Sequence, residues 1–318
     1  MSRIHEALKK AEQERAAVHA GEGPIIPAEV KVGAEALKES EGESRAQVAT
    51  QTATIPPPSP ILSNYLRFDD IRQHCAHPHW HMDPNVNVFF NPALSEHGAE
   101  QFRTLRSRLY QIRNAQNLRT LLVTSSVPVE GKTFVTNNLA QSIVRQPDRR
   151  VLMIDADLRC SRLHVPLGAP AAPGLTDYLR GEADEMKIIQ HGQEGNLCFI
   201  PGGNEVSNPS ELLSNGKLKT LLDRVTPVFD WVILDSPPCL PVADASVLAD
   251  HVDGILIVVR AGTTPAVTAQ RTCQELQGRP VVGVVLNAVE EAHGAGSYYY
   301  SGYGYGYGRS NESKDSLK

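Results

Sequence analysis

Ser126-Val127-Pro128-Val129-Glu130-Gly131-Lys132-Thr133 is the stretch that decides the fold class of this chain. Leu118–Ser125 before it is a continuous apolar run that reads as a strand, and the pattern from about Lys132 to Arg145 reads as a helix. A loop between strand and helix that ends Gly-Lys-Thr is a P-loop, although Ser126 stands where the motif usually has its first Gly. Such a loop turns its backbone N–H groups, and the positive end of the helix, towards phosphate. The nucleotide-binding candidates are therefore Ser126, Val129, Glu130, Gly131, Lys132, Thr133 and Phe134. Lys132 is expected to reach the β- and γ-phosphates of ATP, and Thr133 to hold Mg2+.

Outward from the loop, apolar strands alternate with helical patterns. A helix is expected over Glu100–Gln111 and strands at Val151–Asp155, Leu197–Ile200, Trp231–Asp235, Ile255–Val259 and Val281–Leu286. Helices are expected near Pro209–Val225, Ala243–Asp250 and Pro265–Gln277. Uninterrupted apolar strands between helices predict an α/β fold, a doubly wound, mostly parallel sheet covered on both faces. Its ligands bind at the carboxyl ends of the strands. Two strands end there in carboxylates, Val151-Leu-Met-Ile-Asp-Ala-Asp-Leu-Arg159 in Asp155 and Asp157, and Asp230-Trp-Val-Ile-Leu-Asp-Ser-Pro-Pro238 in Asp235. One such Asp is as readily a helix cap. Three around one P-loop point to metal orientation and proton transfer.

The chain carries a formal net charge of -5 and a pI of about 6.1, so no global basic field attracts nucleic acid. Its five cysteines are scattered without a CxxC pair, which argues against a zinc or disulfide framework and suits a reducing cytoplasm. No apolar run approaches the roughly 18 residues of a membrane span. Residues 1–19 read as a short amphipathic helix and 20–63 as a flexible linker ending Ile-Pro-Pro-Pro-Ser-Pro60. Residues 64–98 read as an extension that packs on the domain, and 99–290 as the nucleotide-binding domain. His74, His77, His79 and His81 crowd beside Cys75 without a recognised zinc spacing. Residues 291–318 form a Tyr/Gly tail read as disordered, which holds six of the nine tyrosines: Tyr298, Tyr299, Tyr300, Tyr303, Tyr305 and Tyr307. Composition alone describes a merely low-complexity segment. Attached to a nucleotide site, the tail places acceptors beside a phosphoryl donor.

With these motifs in place, residues 97–307 resemble the bacterial tyrosine kinases of capsule and exopolysaccharide systems, whose fold is that of the MinD/ParA-type P-loop ATPases. The resemblance rests on 126–133, 151–159 and 230–238, with Gly174-Leu-Thr-Asp-Tyr-Leu179 and Asn208-Pro-Ser-Glu-Leu-Leu213 similar to further family stretches. Met1-Ser-Arg-Ile-His-Glu-Ala-Leu8 resembles the stand-alone autokinases of exosortase-type loci. Glu100, Arg103 and Arg106 match the family's ExxRxxR oligomerisation motif, and their spacing of three puts them on one helical face. Set against a solvated face with intrahelical pairs, their place just before the P-loop favours a head-to-tail, ring-like homo-oligomer. Two positions depart from the pattern. Val129 replaces a glycine, and a β-branched residue resists positive φ, so phosphate binding weakens if that conformation is needed. Cys160 stands where the family often has a second Arg.

The resemblance implies a protein-tyrosine autokinase using ATP and Mg2+, with Lys132, Asp155, Asp157 and Asp235 catalytic. Asp155 is the implied base, and Thr133, Asp157 and Asp235 hold the Mg2+, partly through water. Asn287 ends the last strand where related ATPases recognise adenine, and a simple strand-end turn is the alternative. The tail tyrosines would be phosphorylated in trans within the oligomer. The implied partners are a separate membrane polysaccharide co-polymerase that activates the kinase and recruits it from the cytoplasm to the inner face of the membrane, and a tyrosine phosphatase. Two other readings stand beside this one: a MinD/ParA-like switch ATPase, which usually carries a lysine where this chain has Val127, and a non-catalytic scaffold.

Overall fold

The structure, a computed structural model, describes residues 66–91, 95–193 and 195–289. The expectations for residues 1–65 and for the tyrosine tail lie outside the described residues. Seven strands form one sheet in the order β3-β4-β2-β5-β1-β6-β7. They are β1 Thr120–Ser125, β2 Val151–Asp155, β3 Gln190–His191, β4 Leu197–Ile200, β5 Trp231–Asp235, β6 Gly254–Arg260 and β7 Val281–Asn287. Every pairing is parallel except that of the two-residue β3 with β4.

The alternation of side chains along a strand divides the core in two. Leu121, Val123, Met153, Ile233, Leu256 and Val258 point into one cluster. Leu122, Leu152, Ile154, Val232, Leu234 and Ile257 point into the other. The first cluster is covered by α2 (Ser95–Ala115) and α3 (Lys132–Val144) through Phe102, Leu109, Leu139 and Ile143. The second is covered by α5 (Leu175–Arg180), α8 (Lys217–Val225) and α9 (Asp244–Ala249) through Leu175, Leu221 and Leu248. Burial of both faces explains why β1, β2 and β5 read as unbroken apolar runs.

Several boundaries differ from the sequence expectation. The helix expected over Glu100–Gln111 runs over Ser95–Ala115. The helix expected over Pro209–Val225 is two, α7 (Pro209–Leu213) and α8, because Gly216 sits at φ 80° and ends the run between them. The strand β3 and the short helices α4 (His164–Leu167), α5 and α6 (Glu185–Ile188) follow no periodicity long enough to register in the sequence. The remaining helix, α10, spans Ala266–Glu275.

Residues 66–91 belong to this core. Helix α1 (Phe68–His74) buries Phe68 and Ile71. Phe68 meets Phe229 edge-on with centroids 5.7 Å apart, and the Arg150 guanidinium lies 4.6 Å from its ring centre. Ala76 bridges to Gln190, and the buried Trp80 donates its indole N–H to Gln190 Oε1 at 3.4 Å. Phe68→Ala is expected to lower stability by about 3 kcal/mol, the loss typical of a buried aromatic truncated to Ala. Urea unfolding measures it, and a change below about 0.5 kcal/mol would show that α1 is only loosely held.

Candidate active site

Register builds the site. Residues paired across parallel strands point to the same face, and Asp155 is opposite Asp235, which in turn is opposite Val123 of β1. Thus β1, β2 and β5 end together, two of them in carboxylates, and the P-loop leaves β1 beside them. Helix α3 begins at Lys132, preceded by Gly131 at φ 93°. Glycine is required there twice over, since a Cβ would sit 2.0 Å from Asn287 Nδ2 as well as in a left-handed conformation. No side chain caps the helix N-terminus and no acidic residue lies in its first turn, so its positive end faces the loop with its free N–H groups.

Two residues of that helix end meet two different carboxylates. Lys132 Nζ contacts Asp157 Oδ2 at 2.9 Å. The Thr133 hydroxyl donates to Asp235 Oδ2 at 2.6 Å, and the Thr136 hydroxyl to Asp235 Oδ1 at 3.3 Å. Asp155 accepts from the Ser161 hydroxyl at 2.8 Å, from Leu163 N–H at 2.9 Å and from Asp157 N–H at 3.2 Å. Burial pushes the Asp155 carboxyl up to about 7, and the neighbouring Asp235 charge adds to it. Burial likewise raises Asp235 to about 6, against the opposing pull of Lys132 and Thr133. Burial works against the charge on Lys132, but Asp235, Asp157 and Asp155 more than reverse it, so the ammonium is held above its ordinary pKa.

The residues fit a Mg2+–nucleotide complex on their own chemistry. Mg2+ is usually held by one or two carboxylates with substrate phosphates and water completing its shell. The Thr133–Asp235 pair meets that pattern without a dedicated protein cage. Ser126 Oγ, buried in the loop, has no hydrogen-bond partner among the described residues. The histidine-rich segment offers no comparable convergence. The His74 and His77 rings bond the carbonyls of Asp70 and Arg72, at 2.9 and 2.8 Å, while His79 and His81 stack with centroids 4.9 Å apart.

Val129 adopts φ 67°, in the left-handed region that favours glycine, with its side chain 81% exposed. The side chain of Asn287, the adenine candidate, donates to the Glu130 carbonyl at 2.9 Å. Phe134 packs edge-on against Phe102, at 5.8 Å between centroids, and so anchors α3 on α2. On α2, Glu100 pairs with Arg103 of the same helix, both being exposed, and Arg106 donates to the carbonyl of Ser142 on α3. Sequence reasoning assigned no role to Arg159. Its guanidinium grips the fully buried Asp244 through Nε at 2.7 Å and Nη2 at 3.1 Å, and Nη2 also reaches Ser210 Oγ at 3.0 Å. This fork ties the segment after Asp157 to α7 and α9. Arg159 adjoins the carboxylate motif, but no sequence signal pairs it with Asp244, 85 positions away.

A P-loop on a parallel sheet, with strand-end carboxylates against its Lys and Thr, defines a P-loop nucleotide-binding domain. The family described as an AAA domain matches residues 129–270. The chain is 32% identical over 204 residues to the tyrosine-protein kinase YwqD of Bacillus subtilis, covering 63% of this chain and 86% of that protein. It is 34% identical over 201 residues to a putative tyrosine-protein kinase in the cps region of Klebsiella pneumoniae, covering 63% of this chain and 27% of that protein. The kinase domain of Escherichia coli tyrosine kinase ETK matches with a TM-score of 0.59 at 35% identity, over 66% of this chain and 80% of that domain. The chain belongs to the bacterial tyrosine-protein kinase family. It spans about a quarter of the length of the longer relatives, 27% of the Klebsiella protein. Among the described residues, no helix is long and apolar enough to cross a membrane.

Proposed function

We propose that this chain is an ATP-dependent protein-tyrosine autokinase whose acceptors are Tyr298, Tyr299, Tyr300, Tyr303, Tyr305 and Tyr307. One observation carries the reading. Lys132 and Thr133, adjacent on one helix end, engage Asp157, two residues beyond the end of β2, and Asp235, at the end of β5, and six tyrosines follow in the same chain. Tyr298 lies eleven positions beyond Asn287. That contour of roughly 36 Å is long enough to deliver a hydroxyl to a P-loop.

In this mechanism the loop N–H groups and the α3 terminus bind the phosphates, and Lys132 follows the γ-phosphoryl as its charge spreads. Thr133 and Asp235, with Asp157 through water, would hold Mg2+, which offsets charge on the phosphates. Tyrosine has a pKa near 10, so its hydroxyl arrives protonated. Asp155, its affinity for protons raised towards neutrality, takes that proton as the hydroxyl oxygen attacks phosphorus. The bond to the β-γ bridging oxygen breaks, and ADP leaves.

The oligomer belongs to the same proposal. Glu100 and Arg103 are exposed and satisfy each other within one chain, so either can exchange its partner for a neighbour's. A ring would bring the tail of one subunit to the site of the next. Each phosphotyrosine adds about -1.5 to -2 charges, and tails with six modified tyrosines apiece would repel one another and loosen the ring. This cycle, reset by a phosphatase, would act on polysaccharide export through a membrane co-polymerase that recruits and activates the kinase. The trans step is tested by mixing subunits that lack residues 291–318 with Lys132→Met subunits. Phosphotyrosine on the Lys132→Met chains is the expected result, and its absence, with each component folded, would rule out transfer between subunits.

A further inference from the structure

The P-loop holds a valine where its conformation calls for glycine. Val129 sits at φ 67° with its side chain 81% exposed, so no packing of its own compensates the left-handed backbone. The compensation comes from the ends of β6 and β7. Arg260 Nη1 donates to the Val129 carbonyl at 3.3 Å. Asn287 Nδ2 donates to the next carbonyl, that of Glu130, at 2.9 Å. The buried Glu130 carboxylate accepts Val127 N–H at 2.7 Å on one oxygen. Its other oxygen accepts the Thr264 hydroxyl and, at 3.4 Å, Arg260 N–H. Asn287 is itself fixed by Ala261 N–H, which donates to its carbonyl at 2.8 Å. The consecutive carbonyls of Val129 and Glu130 are thereby held from outside the loop, and the amide of Val127 is held by the loop's own carboxylate.

We infer that Arg260, Asn287, Thr264 and Glu130 form a clamp that keeps Val129 left-handed and so preserves the phosphate-binding shape of a loop that has lost its glycine. These four are positioning residues, since they act through the backbone of the loop. An L-residue left to itself disfavours the left-handed region by about fivefold to thirtyfold, whereas glycine enters it freely. A loop with glycine at this position would meet no such penalty. The inference rests on the P-loop being a nucleotide site.

The test is a double-mutant cycle on the full chain, with affinity for ADP in Mg2+ measured by calorimetry and folding checked by thermal unfolding. Arg260→Ala is expected to weaken binding about tenfold, and by less than about twofold when Val129→Gly is already in place. Val129→Gly alone is expected to bind at least as tightly as the parent chain. An equal Arg260→Ala penalty in both backgrounds would overturn the clamp, because Arg260 would then act without reference to Val129. The same cycle built on Thr264→Val carries the test should Arg260→Ala not fold. A parent chain that binds no ADP would overturn the nucleotide reading itself, an outcome distinct from additivity.

Discussion

Lys132→Met is expected to cut autophosphorylation by a factor on the order of 10³ or more and also to lower the stability of the nucleotide-free protein. The two effects have one origin. Loss of a single preorganised charge-stabilising donor typically costs about 10²–10³ in rate. Lys132 combines that part with charge neutralisation of the phosphates. In the free protein the same ammonium is the cation set among Asp155, Asp157 and Asp235, 2.9 Å from Asp157 and with its side chain 15% exposed. Without it, three buried carboxylates repel one another unrelieved, and partial protonation limits the cost to about 1–3 kcal/mol. Intact-mass measurement of phosphate incorporation and urea unfolding without nucleotide check the two arms. A Lys132→Met protein that still incorporates phosphate at more than about a tenth of the parent rate would place the chemistry elsewhere.

Asp235→Asn is expected to have the opposite effect on stability and the same effect on activity. The raised pKa of Asp235 means that folding penalises its ionised form. Between about pH 4 and pH 6 the native state binds more protons at this position than the unfolded chain, so stability falls as pH rises through that window. Above about pH 6 both states are ionised and the full penalty stands. Asparagine carries no charge, and both hydrogen-bond partners, the hydroxyls of Thr133 and Thr136, can rotate to suit an amide. The variant should therefore gain about 2–3 kcal/mol at pH 7.5, with the gain shrinking towards zero near pH 4. Kinase activity should fall at least about a hundredfold, because the carboxylate beside Thr133 is gone. Urea unfolding across pH 4–8 decides it. A loss of stability at pH 7.5, or a gain that does not depend on pH, would contradict the charge account. A site that is more stable when disabled is what a cluster kept for binding, rather than for folding, should show.

The sheet and its motifs were legible in the sequence because each is local. The apolar runs of β1, β2 and β5 sit next to the loop and the carboxylates they position, so sequence order carries the geometry. The parts that were not legible depend on distance along the chain. Glu130 and Arg260 are 130 positions apart, and Arg159 and Asp244 are 85 apart, and no spacing rule pairs them. Residues 66–91 read as a weakly patterned extension because the partners of Phe68 and Trp80, namely Phe229, Gln190 and Phe199, lie more than a hundred positions away. Val129 shows the limit from the other side. Its residue type argued against a left-handed conformation, yet the backbone adopts φ 67° because hydrogen bonds from β6 and β7 hold it there. Local propensity was outweighed by long-range contacts that only the folded chain assembles.

The proposed reaction joins the P-loop to the tail, and intact-mass spectrometry of the full chain with ATP and Mg2+ tests it most directly. The protein is measured alone and with the cytoplasmic segment of the proposed membrane co-polymerase added, beside a Lys132→Met control. A ladder of phosphate additions that maps to the peptide 297–307 and is absent from the control is the predicted result. ATP binding or hydrolysis without any such ladder would contradict it and favour a switch ATPase.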